Sequence, residues 1–301
     1  MRTRRTADST CPLDVLYARA AEIARASSST FALATHFFPL DLARSAHAVY
    51  WFCFYTRELA RQAATPEQGR ADLDQWMALV TAGLNGRLAR HPVLDVFLDT
   101  VDQCAIPHKC AIEFVDGARV DLDQARCASF SQLRGLCYRL GGMVSVMLTH
   151  AVGFRDPALD YMADLGLAIE LTAILRDTGE HLARGRVYLP TDDMETCGYS
   201  LAELEQHTRN DAFRRLMNLQ AGRAHEYYQK AEPGLALLDP RGRFAARAAF
   251  DLYRKTLRRI ESSHFDVFDR RASVPRAERA WITARSMAGP ATRRLWRVMS
   301  A

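Results

Sequence analysis

Charged side chains one helical turn apart occur in two separate segments of this chain. Asp177, Glu180 and His181 fall within five residues of one another, and Arg57 and Arg61 are four residues apart. Residues three or four apart face the same side of a helix. The first set could hold a divalent cation, although Mg²⁺ prefers ligands that are all oxygen. The second set offers two planar guanidinium groups, which suit a phosphate.

Helices must position these side chains, because apolar residues recur at helical spacing and no sustained alternation typical of strands appears. Proline, glycine and aspartate mark the breaks between the helices. We therefore predict an all-α protein with a flexible N-terminus over residues 1–12 and a single domain over residues 13–301. The predicted helices cover residues 13–25, 39–62, 65–85, 93–103, 108–117, 129–152, 157–184, 200–206, 209–231, 242–262 and 276–298.

The composition limits the classes of partner. The 301 residues are 49% hydrophobic, enough for a large core, and carry 40 Lys+Arg against 35 Asp+Glu. Because the arginines are spread along the chain without a basic stripe interleaved with aromatic residues, nucleic acid is not an expected partner. The longest apolar run, residues 46–55, is about half of the roughly 20 residues that a membrane-spanning helix needs. No stable membrane insertion is therefore expected.

The cysteines and the N-terminus predict a cytoplasmic location. The seven cysteines never form a C-x-x-C pair, so neither a disulfide framework nor a zinc ribbon is indicated. The first residues are basic but lead into Ser, Thr and Asp instead of an apolar segment, which does not match a secretory signal. We expect free thiols.

Four blocks of the sequence, in order, resemble the squalene/phytoene synthase family of head-to-head prenyl-diphosphate condensing enzymes. The blocks are Ser28-Ser-Thr30-Phe31 with Phe38-Pro39, residues 48–53, residues 165–177 continuing into Arg184-Gly-Arg-Val-Tyr-Leu-Pro190, and residues 253–271 with Phe265-Asp-Val-Phe-Asp-Arg-Arg271. The resemblance implies an isoprenoid-synthase-like helical bundle with a central cavity. It also implies that aspartates on two facing helices hold Mg²⁺ against the diphosphate of a prenyl donor. The carbocation is then released into an apolar cavity that excludes water.

The chain departs from the family pattern where the metal should be held. The two metal-binding aspartates of the first motif, D-D-x-x-D, are replaced by Arg57 and Arg61, and the family's arginine just after its cysteine is Phe54. In the second motif His181 replaces the last acid and Ala173 replaces an asparagine. The smaller alanine side chain would leave space for a flat molecule that accepts the prenyl group. Little of the family's magnesium cage remains in the sequence.

Three interpretations of these changes are open. In the first, which we favour, Arg57 and Arg61 bind the diphosphate directly and the need for metal falls. In the second, the two arginines pair with Asp177 and Glu180 across the bundle and form a structural network in an inactive site. In the third, Asp177, Glu180 and His181 still hold one Mg²⁺.

The resemblance also implies further contacts with the substrates. Hydroxyl, guanidinium, aromatic and small side chains at the expected substrate positions are Ser28, Thr30, Phe31, Tyr50, Phe54, Tyr138, Ala173, Arg176, Tyr253 and Arg271. An aromatic run could stabilise a cation, with about half of its rings in the core instead. Its members are Phe37, Phe38, Tyr50, Trp51, Phe52, Phe54 and Tyr55. Glu170 stands where the family commonly has glutamine, and with Asp177 and the two arginines it completes the predicted catalytic set. Glu170 orients the acceptor or takes its proton, or is a solvated or ion-paired glutamate without that role.

With one aspartate motif inverted in charge, a single ionisation is favoured over the two that head-to-head condensation needs. We predict a prenyltransferase that ionises an allylic diphosphate, with dimethylallyl diphosphate as the expected donor. The prenyl group passes to a small aromatic acceptor such as a carbazole, in bacterial specialised metabolism. One alternative is a squalene- or phytoene-type synthase with a reduced metal site. The other, of a different class, is a catalytically inactive relative that serves as a binding or assembly protein.

Overall fold

The computed structural model describes residues 12–27, 29–87, 90–269 and 272–287. Within these ranges fifteen α-helices, one π-helical turn and one 3₁₀ helix follow one another, and extended pairing is limited to isolated bridges. The α-helices are α1 (Pro12–Ser27), α2 (Ser29–Thr35), α3 (Leu40–Gln62), α4 (Pro66–Leu84), α5 (Pro92–Cys104), α6 (His108–Asp123), α7 (Phe130–Cys137), α8 (Met143–Val152), α9 (Ala158–Arg176), α10 (Thr178–Ala183), α11 (Thr191–Cys197), α12 (Leu201–Glu205), α13 (Asp211–Ala231), α14 (Pro240–Ser262) and α15 (Arg276–Met287). The π-helical turn (Tyr138–Gly142) joins α7 to α8, and the 3₁₀ helix (Glu232–Leu237) follows α13. The all-α prediction is confirmed.

Two predicted helices are interrupted in the structure. The π-helical turn divides the helix predicted over residues 129–152, and Asp177 ends α9 within the helix predicted over residues 157–184. Conversely, α6 continues past Gly117, which does not act as a stop because it packs against the π-helical turn. A Cβ atom on Gly117 would lie 2.7 Å from Arg139 Cβ.

Some predicted boundaries differ at the ends of elements. The short helices α2 and α11 lie in segments for which no helix was predicted. The helix predicted over residues 276–298 is described as far as Met287, and its remainder lies outside the described residues. None of the described helices is long and apolar enough to cross a bilayer. The predicted division at residue 12 stays a prediction.

Local side-chain contacts explain several helix starts. The Thr65 side chain accepts a hydrogen bond from the backbone N–H of Gln68 at 3.2 Å, and proline follows it at the first helical position of α4. Asn210 caps α13 in the same way by accepting from the N–H of Phe213 at 2.9 Å. Ser200 forms a reciprocal capping box at the start of α12. Because these contacts span only three residues, the sequence predicted these starts closely.

Helix α9 lies at the centre of the fold. Its apolar residues are buried against α8, α13, α14 and the π-helical turn. One apolar cluster surrounds α9 and α13, and a second surrounds α3, α5 and α6. Helix α3 packs on α8 within the second cluster. The acid-bearing part of α9 and the arginine-bearing part of α3 are thereby brought to the same region of the bundle.

Two glycines allow the π-helical turn to lie directly on α9. A Cβ atom placed on Gly166 would be 2.2 Å from the Gly141 carbonyl oxygen, and one placed on Gly141 would be 2.3 Å from the Gly166 carbonyl oxygen. Neither position can carry a side chain without moving backbone, since real Cβ atoms do not approach so closely. This close backbone contact sets the distance between the turn and α9.

Candidate active site

An ion pair joins α3 to α9 at the predicted site. Arg57 Nη2 donates to both carboxylate oxygens of Glu170, at 3.0 Å each, and to the carbonyl oxygen of Leu140 in the π-helical turn at 3.3 Å. The Arg57 side chain is 46% exposed and that of Glu170 is 16% exposed. The guanidinium is therefore fixed from two sides, while part of the arginine side chain is open to solvent.

Arg61 does not join this contact, although it lies one turn from Arg57. Its Nε and Nη2 donate to the two carboxylate oxygens of Glu58, one turn back on α3, at 2.6 Å each. The interpretation in which both arginines pair with Asp177 and Glu180 across the bundle is wrong in its partners. Arg57 is held by Glu170, and Arg61 is held by its own helix.

Asp177 lies at the end of α9 and is nearly buried. The neighbouring Arg176 donates to its two carboxylate oxygens through Nε at 2.8 Å and Nη2 at 2.5 Å. Burial opposes the charge of Arg176, but the Asp177 carboxylate outweighs it and raises the pKa of the guanidinium above its usual range, with Tyr253 as a further hydrogen-bond partner. Arg176, Asp177 and Tyr253 thus form one polar cluster where α9 meets α14.

His181 lies in a mainly apolar setting. Its ring meets the Tyr188 ring edge to face, with centroids 4.7 Å apart, and its buried Nδ1 atom has no hydrogen-bond partner. Burial lowers the pKa of the imidazole, and the carboxylate of Asp177 only partly opposes this effect. A small cavity with room for about one water molecule adjoins it, lined also by Thr178 and Arg186.

In the structure, these side chains are not arranged as the six-oxygen shell that Mg²⁺ requires. The Asp177 carboxylate is engaged on both oxygens by Arg176, and α3 presents the Arg57 cation where the family has its aspartates. Across the described ranges, no three His, Cys, Asp or Glu side chains come together in a way that could hold a metal ion. The ligand set Asp177, Glu180 and His181 stays a prediction.

Three of the predicted substrate-binding residues form an aromatic column (Phe31, Tyr50 and Phe54). Phe31 stacks on Tyr50 with ring centroids 4.6 Å apart, and Tyr50 stacks on Phe54 at 6.1 Å. All three side chains are half-buried. Tyr50, Phe54 and Arg57 are three or four residues apart and therefore share one face of α3. The column leads along this face to the guanidinium group.

Other rings of the same run belong to the core, as the sequence predicted for about half of them. Phe52 is fully buried and stacks on Phe97 with centroids 3.9 Å apart, and Trp51 is also buried. The helical period separates these rings from the column, because residues two positions apart point to different sides of a helix.

The remaining predicted residues are distributed as follows. Ala173 is half-buried on α9, one turn from both Glu170 and Asp177. Tyr138 begins the π-helical turn and is 43% exposed, so it does not pack in the core. The predicted residues Ser28 and Arg271, and the side chain of Thr30, lie outside the described residues.

Two features of the site were not predicted from the sequence. The Tyr188 hydroxyl donates to Asp121 Oδ1 at 2.6 Å, and Arg186 donates to the Asp121 backbone carbonyl, so the 184–190 segment is tied to the end of α6. The π-helical turn was missed as well. Its only signal was the pair Gly141-Gly142, and Asp121 carried no signal that distinguished it from other surface acids.

His47 attaches α2 to α3 beside the aromatic column. Its Nε2–H donates to Thr35 Oγ1 at 2.9 Å, because the Thr35 hydroxyl itself donates to the Phe31 carbonyl at 3.0 Å. Burial lowers the pKa of His47 to about 4, and the charge of Arg25 contributes. The native state therefore holds this imidazole neutral.

We expect His47 to make the protein less stable in acid. The unfolded chain protonates this histidine below about pH 6.5, whereas the folded chain does so only near pH 4. Between these values the unfolded state binds more protons, so the free energy of unfolding falls as the pH is lowered, by about 3 kcal/mol in total. Urea unfolding at pH 7 and pH 4 measures this loss. The His47→Gln variant should lose about 3 kcal/mol less than the wild type, and an equal loss would contradict the assignment.

Comparisons with known proteins match most of this chain to one family. A family profile described as squalene/phytoene synthase matches residues 24–278. The phytoene synthase of Arthrospira platensis is 34% identical over 265 residues, covering 82% of this chain and 84% of that protein. The 15-cis-phytoene synthase of Synechocystis sp. is 33% identical over 283 residues, covering 85% and 82%.

Solved structures give the same answer for the fold. The crystal structure of a dehydrosqualene synthase in complex with a ligand superposes with a TM-score of 0.84 at 25% identity, covering 91% of this chain and 96% of that one. A squalene synthase from Alicyclobacillus acidocaldarius superposes with a TM-score of 0.78 at 20% identity, covering 84% and 95%. The similarity therefore extends over nearly the whole bundle.

Proposed function

Since this chain belongs to the squalene/phytoene synthase family and is a prenyltransferase with the all-α isoprenoid-synthase fold, we propose that it ionises a single allylic diphosphate and transfers the prenyl group to an aromatic acceptor. Dimethylallyl diphosphate is the proposed donor. A small fused aromatic molecule such as a carbazole is the proposed acceptor, in the setting of bacterial specialised metabolism.

The observation that carries this proposal is the pairing of Arg57 with Glu170. Arg57 occupies the position of a metal-binding aspartate of the family's first motif, and its guanidinium is oriented by Glu170 and the Leu140 carbonyl. A fixed guanidinium on a partly exposed side chain can bind one diphosphate through charge-assisted hydrogen bonds without a metal. Head-to-head condensation requires two diphosphates to leave, whereas transfer to an acceptor requires only one.

The arrangement suggests a role for each group. The diphosphate of the donor binds Arg57, and the prenyl chain lies along the aromatic column. The C–O bond breaks and pyrophosphate leaves with the electron pair, while the rings of Tyr50 and Phe54 stabilise the allylic cation. An aromatic carbon of the acceptor forms the new C–C bond beside the space at Ala173. The proton lost from that carbon passes to the Glu170 carboxylate.

A second candidate is head-to-head condensation of two prenyl diphosphates. The names of the similar proteins favour it over transfer to a carbazole, since the relatives reported above are phytoene synthases. Two acids of the second motif, Asp177 and Glu180, are also kept. Against it stand the two arginines in the first motif, because a cation placed where a cation must bind opposes that binding.

One assay separates these candidates. The protein is incubated with dimethylallyl, geranyl and farnesyl diphosphates, with and without EDTA, and with and without a panel of carbazoles and indoles. We expect pyrophosphate release that depends on an aromatic acceptor and changes less than twofold with EDTA, together with a prenylated aromatic product. Hydrocarbons formed from the donor alone, in a reaction abolished by EDTA, would establish head-to-head condensation instead. No pyrophosphate release under any condition would refute both.

A further inference from the structure

We infer that the Arg57–Glu170 ion pair is an internal competitor of the donor: the incoming diphosphate takes the guanidinium from Glu170, and the released carboxylate then serves the acceptor. This inference rests on the proposed function, and it adds an order of substrate binding. The prenyl donor must bind before the Glu170 carboxylate is available to the aromatic acceptor.

The guanidinium can keep its position during this exchange. Arg57 Nη2 donates to Glu170 on α9 and also to the carbonyl oxygen of Leu140 in the π-helical turn, at 3.3 Å. When the hydrogen bonds to Glu170 break, the hydrogen bond to the Leu140 carbonyl remains. The Leu140 carbonyl is itself fixed, because the turn lies against α9 through the contact of Gly141 with Gly166.

The exposures of the two partners indicate which one an anion meets. Arg57 is 46% exposed, whereas Glu170 is 16% exposed. An anion that arrives from solvent therefore meets the arginine side chain before the Glu170 carboxylate. A diphosphate carries more negative charge than a carboxylate and offers more acceptor oxygens in the geometry that a guanidinium prefers, so it is the stronger partner for one Arg57.

Release of Glu170 frees its carboxylate oxygens. While the ion pair is intact, both oxygens accept from Arg57. After the exchange, these oxygens can accept from a hydrogen-bond donor or a proton of the aromatic acceptor.

Pyrophosphate binding to the full-length protein tests the inference without an acceptor. Isothermal titration compares the wild type, Glu170→Gln and Glu170→Ala, each checked by circular dichroism for its helical content. Because the competing carboxylate is removed while Arg57 stays, we expect both variants to bind pyrophosphate about three- to tenfold more tightly than the wild type. Glu278→Gln is the matched control, since Glu278 pairs with Lys255 and Arg259 outside this site, and its affinity should stay within about twofold of the wild type.

A double-mutant cycle separates competition from simple repulsion. If Glu170 acts by occupying Arg57, the gain from Glu170→Gln should disappear in an Arg57→Met background. An equal gain in both backgrounds would show that the carboxylate merely repels the anion, and would overturn the inference. No gain in the wild-type background, or no pyrophosphate binding by any variant, would overturn it as well. Failure of the proposed function would be seen separately, as the absence of a prenylated aromatic product from a wild type that still binds pyrophosphate.

Discussion

Replacing Arg57 with methionine should lower the rate of pyrophosphate release about 100-fold or more, the loss that follows when one charge-assisted donor to a leaving group is removed. Methionine matches the unbranched stem of arginine as far as Nε, so the packing of that stem on α3 is retained. The lost group is the guanidinium that bridges Glu170 and the Leu140 carbonyl. Steady-state kinetics with the donor identified by the assay measures the change.

Two control variants test whether the loss is specific to the guanidinium of Arg57. Arg57→Lys keeps the charge but not the planar fork, and should recover only part of the rate. Arg61→Met should lower the rate less than about tenfold, because Arg61 is 56% exposed and bound to Glu58 on its own helix. A loss for Arg61→Met as large as that for Arg57→Met would contradict the assignment of the diphosphate to Arg57 alone. It would favour the interpretation in which both arginines bind the diphosphate.

The second large effect is expected at Gly166. Alanine there should lower the free energy of unfolding by about 3 kcal/mol, because the new Cβ would lie 2.2 Å from the Gly141 carbonyl oxygen and 2.5 Å from its carbonyl carbon. Both are backbone atoms, which cannot move aside as a flexible side chain does. Urea unfolding followed by circular dichroism measures the loss.

Gly222→Ala provides the matched control for this prediction. Gly222 is also a helical glycine, on α13, but a Cβ placed there would meet no atom within 4 Å. The higher helix propensity of alanine should raise the free energy of unfolding by about 0.5 to 1 kcal/mol. If both alanine variants had the same stability, the close contact between the turn and α9 would not be present in solution.

The Gly166 variant also links the fold to the site. Moving the π-helical turn away from α9 shifts the Leu140 carbonyl relative to Arg57 and Glu170. We therefore expect the folded fraction of Gly166→Ala to bind pyrophosphate less tightly than the wild type. This effect separates a positioning role of the turn from a purely structural one.

The helical architecture was predictable from the sequence because its signals are local. Apolar spacing and capping residues such as Thr65 and Asn210 act over three or four residues, and they located most helices. Where longer-range packing intervened, the prediction failed. The Gly141-Gly142 pair became a π-helical turn because it lies against Gly166, and Gly117 continued a helix because it packs against Arg139.

The sequence by itself determined the family and the nature of the altered motif. The ordered blocks resembled squalene/phytoene synthases. That Arg57, Arg61 and His181 replace acids of the family motifs is also read from the sequence alone. Only the tertiary structure decided the partners of these residues. Arg57 meets Glu170, 113 positions away in the chain, whereas Arg61, one turn along α3, is held by Glu58. The spacing of side chains along one helix follows from the helical period. Which neighbouring helix a side chain faces, and how the two helices are rotated against each other, follows from the packing of the whole bundle.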